Sequence, residues 1–287
     1  MKKIYLLTAA LMVAGANFAQ TDTTRNSGIK TDSTAIDADT IKVGNFIIIK
    51  KRKDNQSASK EVTVERKPHK PSKLSTNWGI VDIGFANLKD ETDYASADAA
   101  NYLRTTRAGE KPFTKEDLKL RTGKTSNINI WIVMQRWNIV KGYLNLKYGL
   151  GLEMFNFRYE NNISYHKSPA YIFKDSLNFS KNKLYASYLT VPFMVNINTM
   201  PGRKKGLSLS AGISAGYLVG SRNKQISAER GKVKTKGDFD LEPIRLAYIG
   251  ELGMGPVRLF GSYSMRPLHE HGLKQYPYSV GIRLSSW

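Results

Sequence analysis

The sequence of 287 residues contains no cysteine. Without thiols, the chain cannot form a disulfide-stabilised scaffold, a thiolate metal site or a lipidated N-terminal cysteine. It also lacks the Gly-x-Ser-x-Gly, Walker, dinucleotide-binding and His-Glu-x-x-His motifs of common enzyme and nucleotide sites. We therefore predict no catalytic residues, no cofactor and no metal.

Long hydrophobic runs are also missing, and the mean hydropathy is −0.40. A membrane-spanning helix needs about 20 nearly uninterrupted apolar residues, so the composition excludes a polytopic helical membrane protein. It does not exclude a membrane β-barrel, because the strands of such a barrel are only half apolar.

Acidic residues are few, with 24 Asp and Glu against 44 Lys and Arg and a formal net charge of +20. Such an excess is typical of nucleic-acid-binding proteins. The N-terminus favours export instead, because Lys2 and Lys3 precede the uncharged, mostly apolar residues 4–16 in the pattern of a secretory signal. We predict a signal peptide over 1–20, cleaved after residue 16 or 19, and exclude nucleic acid as a partner.

Residues 21–75 are rich in Thr, Ser, Asp, Asn and Lys and keep no regular period. This composition predicts a disordered periplasmic linker, since too little apolar surface is available to offset the conformational entropy. Segment 41–53, IKVGNFIIIKKRK, interrupts the linker. It is either an apolar patch flanked by charged residues that oppose aggregation or a docking strand for a periplasmic protein or a membrane surface.

From about residue 76 onward, apolar and polar residues alternate as in strands with one apolar face. Over 143–155, for example, every even position is apolar, whereas the odd positions between them are Asn, Lys, Gly, Gly and Glu. Eight such runs follow one another: Trp78–Leu88, Asn127–Trp137, Tyr143–Phe155, Leu184–Asn198, Leu207–Gly220, Ile244–Gly253, Val257–Arg266 and Tyr278–Ser285.

Three observations favour a membrane barrel over a soluble sandwich. The polar faces carry Gly and Ser with isolated charges, which suits a narrow, filled interior. The apolar faces carry tyrosines near strand ends, as an interfacial girdle requires: Tyr185, Tyr217, Tyr263 and Tyr278. Long and short connections also alternate, as in bacterial barrels, where long external loops alternate with short periplasmic turns. We predict an all-β fold, an eight-stranded antiparallel up-and-down transmembrane β-barrel over 76–287 with a disordered N-terminal arm in the periplasm of a Gram-negative bacterium.

Five strand and turn sequences carry a family resemblance: WGIVDIGF at 78–85, YGLGLE at 148–153, YLTVP at 188–192, FDL at 239–241 and YPYSVG at 276–281. In this order they resemble the PorT-like outer-membrane β-barrel proteins of Bacteroidetes, over residues 76–287. The resemblance implies an envelope barrel in a family whose members mostly lack an assigned role, although the name-giving member serves protein secretion. Trp287 departs from the phase of the last run, which predicts a bulge near 285–286 or a short tail.

Strand parity places a set of charged residues on the inward faces: Asp82, Lys147, Glu153, Arg245, Glu251, Arg258, Arg266 and Arg283. Because buried charges need partners, we predict a structural network of ion pairs that fills the lumen. Two other interpretations stay open. The excess of bases would suit a narrow anion pathway, and Glu153 with Glu251 would suit an acid–base pair.

The external segment 225–236 carries Arg230, Lys232, Lys234 and Lys236 against the single acid Glu229. This pattern predicts either electrostatic contact with lipopolysaccharide phosphates or a specific site for an anionic surface ligand. His269-Glu270-His271 in the last external loop has no evident third metal ligand, so we interpret it as a solvated loop.

These observations predict a non-enzymatic outer-membrane barrel with a structural, scaffolding or envelope-assembly role. Its expected partners are outer-membrane lipid and lipopolysaccharide, the barrel-assembly machinery and a periplasmic protein. A narrow channel or a surface-binding protein is the alternative, and a barrel enzyme comes third.

Overall fold

The computed structural model describes the backbone of 38–43, 46–51 and 62–66, and residues 73–201, 206–254 and 257–284 in full. The chain divides into two compact units, 1–69 and 70–287. No helix in the described ranges is long and apolar enough to cross a membrane.

The first unit contains a three-stranded antiparallel sheet made of β1 (Ala38–Val43), β2 (Phe46–Lys51) and β3 (Val62–Arg66). Its central strand β2 pairs with both neighbours, and Ile48 lies opposite Ile41 and Val64. Segment 41–53 thus contains the end of β1 and all of β2. The predicted signal peptide 1–20 lies outside the described residues, as does much of the predicted disordered linker 21–75, so both stay predictions.

The described part of the second unit contains the remaining strands and one short α-helix. They are β4 (Leu74–Asp90), α1 (Ala97–Tyr102), β5 (Leu103–Arg104), β6 (Ser126–Val140), β7 (Leu144–Arg158), β8 (Ile163–Lys167), β9 (Ala170–Lys174), β10 (Phe179–Asn198), β11 (Leu207–Ser227), β12 (Gly231–Lys236), β13 (Ile244–Met254), β14 (Val257–Ser264) and β15 (Gln275–Leu284).

Eight of these strands close into a ring in chain order: β4, β6, β7, β10, β11, β13, β14 and β15. Each strand pairs antiparallel with the next, and β15 returns to pair with β4. The predicted fold, an eight-stranded antiparallel up-and-down barrel, is confirmed. The strand ends differ from the predicted runs by up to seven residues, the largest difference being at the end of β11. The predicted bulge near 285–286 lies outside the described residues.

The outer surface of the barrel is apolar, and its interior is polar. Outward side chains such as Phe85, Phe193, Ile213 and Val280 are each at least 50 % exposed. The alternate positions on the same strands point inward and are buried. Because this arrangement reverses the pattern of a water-soluble protein, the outer face is built to contact hydrocarbon.

All the long connections leave the same end of the barrel. They span 91–125, 159–178, 228–243 and 265–274, whereas at the opposite end only a few residues separate successive strands, three between β6 and β7 (141–143) and eight between β10 and β11 (199–206). We call these the long-loop end and the short-turn end. At the short-turn end, Lys141 and Gly142 adopt positive φ angles of 42° and 84°, which close the tight turn between β6 and β7.

The four long connections fold together into a cap with its own hydrophobic core. The buried residues of this core include Tyr102, Phe113, Tyr165, Phe239 and Leu268, and they pack on inward-facing strand residues. Within the cap, β8, β9 and β5 form a small sheet, and the Tyr102 hydroxyl donates to the Phe239 carbonyl at 2.7 Å. The long-loop end of the barrel is therefore covered by ordered structure.

Candidate functional site

The inward faces of the barrel strands bring most of the predicted lumenal charges into one buried interior. These residues are Asp82, Lys147, Glu153, Arg245, Glu251, Arg258 and Arg283, each at most 8 % exposed. Their placement follows from the strand period of two, because the neighbouring residue on either side of each points outward.

Arg283 on β15 joins carboxylates from two other strands. Its Nε and Nη2 donate to Asp82 Oδ1 and Oδ2 at 2.7 and 2.8 Å, and its Nη1 donates to Glu251. Asp82 also accepts a hydrogen bond of 2.7 Å from Trp131 Nε1. Arg283 is thus the hub of the lumenal network, in the bidentate geometry that suits a guanidinium and a carboxylate.

Two further ion pairs fill the lumen on either side of this hub. Lys147 Nζ lies 2.8 Å from Glu251 Oε2, and Arg245 Nη1 lies 2.8 Å from Glu153 Oε2. Thr190 Oγ1 donates to the same Glu153 oxygen at 3.0 Å. Both glutamates of the candidate acid–base pair are therefore held by buried cations.

Arg258 extends the network toward the short-turn end, where its Nη1 lies 3.5 Å from Ser208 Oγ. Arg136 lies in the same inward phase, opposite Lys147 across the β6–β7 pair. Sequence reasoning missed Arg136 because a bulge between Trp131 and Val133 reverses the inward and outward positions of β6. A bulge leaves no signal in a simple alternation of apolar and polar residues.

Arg266 does not belong to the lumen, so its assignment to the inward faces is wrong. Strand β14 ends at Ser264, and beyond that point the alternation no longer fixes where a side chain points. The Arg266 side chain is 48 % exposed and pairs with Glu242 at 2.8 Å.

The cavity among the central charged residues of the lumen is small. The cavity bordered by Asp82, Glu153, Glu251 and Arg283 has a volume of about 20 Å³, which is room for roughly one water molecule. A much larger concavity of about 970 Å³ includes Tyr248 and Val280, whose side chains are exposed on the outer surface. The charged side chains around Asp82, Glu153, Glu251 and Arg283 are therefore closely packed.

His269 lies at the centre of the cap and is fully buried. Its ring lies 5.4 Å from the ring of Tyr102 and 6.3 Å from that of Tyr165. Neither ring nitrogen has a hydrogen-bond partner among the described residues. Burial lowers the pKa of His269 to about 3, against a small opposing effect of Asp90, so the folded cap holds a neutral imidazole.

We predict that acid loosens the cap through His269. The opened cap binds a proton below pH 6.5 and the folded cap does not, so cap stability falls as the pH drops from 6.5 toward 3. The loss approaches about 1.4 kcal/mol per pH unit. Hydrogen exchange of residues 265–274, corrected for intrinsic rates, should accelerate between pH 7 and 5.

His269→Phe should abolish this acceleration, because a phenyl ring keeps the aromatic packing without binding a proton. His271→Gln is the matched control and should retain it. An equal pH response in wild type and His269→Phe would show that the cap loosens through other groups.

His271, two residues away, is exposed and pairs with Asp240 at 2.9 Å. This contact raises the pKa of His271. Glu270 lies close to both residues, so Asp240, Glu270 and His271 form a small surface cluster whose ligand atoms lie within 4.8 Å of one another. The interpretation of 269–271 as one solvated loop is thus correct for His271 and wrong for His269, since the local chain is not a strand and the two rings face different surroundings.

The predicted basic loop is mostly a strand. Lys232, Lys234 and Lys236 lie on β12, which extends the barrel sheet by pairing with the end of β11. Arg230 lies at the tip of this hairpin, with its Nη1 3.8 Å from Asp175 of another long connection.

A closed eight-stranded barrel with an apolar outer belt and an ion-paired interior defines the class of outer-membrane β-barrel proteins. Residues 100–265 match the family model described as outer membrane protein beta-barrel domain, and the chain belongs to this family.

Solved structures with similarity to the chain include two crystal structures of Ail, the attachment invasion locus protein of Yersinia pestis. One, in complex with the heparin analogue sucrose octasulfate, is 13% identical, covers 72% of this chain and 99% of Ail, and has a TM-score of 0.27. The other is 14% identical, with the same coverage and a TM-score of 0.24. A search of curated proteins found no match.

Proposed function

We propose that the protein is a non-conducting, non-enzymatic outer-membrane barrel with a structural, scaffolding or envelope-assembly role. The observation that carries this proposal is the filled lumen, in which ion pairs leave a cavity of about 20 Å³. A barrel of this kind acts through the surfaces that it presents on either side of the membrane.

The contacts of the lumen argue against a narrow channel. A path along the axis requires the separation of Arg283 from Asp82 and of Arg245 from Glu153, each pair joined at 2.8 Å or less. Breaking a buried ion pair costs several kcal/mol, because it leaves charges without partners in a medium of low dielectric constant. The cap, whose core is buried at the long-loop end, adds a second barrier.

In this proposal the long-loop end faces the cell exterior, as in other bacterial barrels, and residues 21–75 extend into the periplasm. The barrel-assembly machinery inserts the chain. Segment 41–53, which contains strand β2, docks a periplasmic protein partner. The resemblance to PorT-like barrels of Bacteroidetes supports a role as an envelope component, and it assigns no secretion role to any residue of this chain.

Planar-bilayer recording on the purified full-length protein tests the proposal. We expect no steady current after insertion. Heat-modifiable gel migration of the same preparation verifies independently that the barrel is folded. A general porin inserted under identical conditions is the positive control. A steady current that scales with the number of inserted barrels, and especially one that favours anions, would overturn the proposal and support the narrow-channel alternative.

A further inference from the structure

Four neighbouring strands bring basic residues into one row at the long-loop end. Arg158 on β7 lies opposite Lys183 on β10, Lys183 lies opposite Lys224 on β11, and Lys224 lies opposite Lys234 on β12. Residues directly opposite in such pairs have Cβ atoms about 5 Å apart. We call the row of Arg158, Lys183, Lys224 and Lys234 the basic ladder.

A second row runs beside the basic ladder on the side nearer the apolar belt. Arg222 lies opposite Lys236 and opposite Tyr185. The Arg222 guanidinium lies 4.4 Å from the centre of the Tyr185 ring. Charged and aromatic residues are thus combined at this edge, as they are where a barrel meets lipid headgroups.

Both rows face outward, away from the lumen. On β10 the alternate positions Asn182 and Leu184 are buried, and on β11 the alternate positions Asn223 and Gln225 are buried. Because strand side chains alternate between faces, Lys183 and Lys224 project from the opposite, outer face. The cations are therefore accessible to a ligand outside the barrel.

The basic ladder has no acidic counterpart in the described part of the chain. The recorded ion pairs include no carboxylate bound to any of its four members. Arg158 and Lys183 donate only to neutral oxygens, at 2.9 Å to the Ser180 carbonyl and 2.6 Å to Asn156 Oδ1. Like charges directly opposite in a sheet destabilise the pairing, so an anion that binds the ladder would also stabilise these strands.

The depth of these rows along the barrel bears on which anion they contact. The Val219 side chain is 53 % exposed on the outer face of β11. Arg222 lies three residues farther along the same strand, a distance of about 10 Å. The polar headgroup region begins directly outside the hydrocarbon core. The second row thus lies at headgroup depth. The basic ladder lies two residues farther from the apolar belt, since Lys224 follows Arg222 by two positions on β11.

We propose that the basic ladder binds the phosphate groups of lipopolysaccharide in the outer leaflet. The inference rests on the proposed function in one respect, namely that the long-loop end faces the cell exterior. Three properties support a lipid-borne phosphate: the outward orientation, the position beside the apolar belt and the spacing of cations along one line. Phosphate oxygens accept the charge-assisted hydrogen bonds that Lys and Arg supply.

Binding of purified full-length barrel in detergent micelles to fluorescently labelled lipopolysaccharide tests the proposal. The affinity should fall at least tenfold when the lipopolysaccharide is enzymatically dephosphorylated, and it should weaken as the salt concentration rises. The triple variant Lys183→Gln/Lys224→Gln/Lys234→Gln should lose at least tenfold in affinity for the phosphorylated form. Heat-modifiable migration should show that this variant is folded.

Lys111→Gln/Lys115→Gln/Lys124→Gln is the matched control, because it removes three exposed positive charges from another long connection. It should bind nearly as well as wild type. Equal losses in the two triple variants, or equal binding of dephosphorylated lipopolysaccharide, would overturn the proposal. Competition by inorganic phosphate as effective as that by lipopolysaccharide would overturn its assignment to a lipid.

The outcome of this assay is independent of the conductance measurement. A conducting barrel that still binds lipopolysaccharide through the basic ladder would overturn the proposed function alone. A silent barrel that does not distinguish phosphorylated from dephosphorylated lipopolysaccharide would overturn the ladder alone.

Discussion

We expect Arg283→Met to lower the free energy of unfolding by about 3–5 kcal/mol, the cost of removing one partner of a buried ion pair. The substitution leaves Asp82 and Glu251 in the lumen without the guanidinium that joins them. Methionine fills much of the vacated volume, so the measured loss is mainly electrostatic. Urea unfolding of the barrel in lipid vesicles, followed by tryptophan fluorescence and heat-modifiable migration, measures it.

Arg266→Met is the matched control for this prediction. It removes the same side chain from an ion pair of nearly the same length, 2.8 Å to Glu242, but the Arg266 side chain is 48 % exposed. We expect a loss of less than about 1 kcal/mol, as for other surface pairs. The double variant Asp82→Asn/Arg283→Met should recover part of the stability lost in Arg283→Met. Equal losses at positions 283 and 266 would show that the lumenal network does not stabilise the barrel.

We expect Gly281→Val to prevent closure of the barrel. Gly281 lies opposite Gly84 at the seam where β15 meets β4. A Cβ atom at position 281 would lie 2.3 Å from the Ile83 carbonyl oxygen and 2.4 Å from Gly84 Cα, both backbone atoms that cannot move without breaking the seam. The Phe260 ring occupies the remaining space on the lumenal side, with its Cε1 2.7 Å from the same point. We expect complete loss of the heat-modifiable folded band after refolding into vesicles.

Gly250→Val adds the same side chain at a lipid-facing glycine, where the nearest atom to the new Cβ is 3.8 Å away. This variant should fold like wild type. If Gly281→Val also produced the folded band at wild-type yield, the close packing at the β15–β4 seam would not limit closure.

The strands and their ring order could be predicted from sequence because a membrane barrel repeats one simple pattern. Each strand has one apolar face. The alternation of long and short connections indicates which end of the barrel each strand runs toward. The lumenal positions of Asp82 and Glu251, for example, follow from parity alone. The pattern does not reveal irregularities such as the bulge that β11 makes opposite the step from Ser187 to Tyr188, beyond which the inward positions of β11 change from even to odd numbers.

The partners of the lumenal charges could not be predicted, because they come from distant parts of the sequence. Parity predicts that Arg283 points inward, but it does not predict that Arg283 binds Asp82 and Glu251 at once. The same limit applies to the basic ladder. The composition of 225–236 indicates a basic segment, whereas the row is completed by Arg158 and Lys183 only through the strand register.

The buried position of His269 was also beyond sequence reasoning. Its neighbours Tyr102 and Tyr165 belong to two other long connections, and no periodicity relates the three residues. A histidine beside Glu270 and His271 has the local sequence of a solvated turn. Its burial results from the way in which separate loops share one core.

The shared core of the cap also couples the four long connections to one another. In many barrels each loop is an independent segment, and its sequence can drift without consequence for the others. Here Tyr102, Tyr165, Phe239 and Leu268 come from four different connections and pack in a single cluster. A change of size in one of these connections must therefore be matched in the others, and a molecule that recognises the folded cap contacts a composite surface and not a linear peptide.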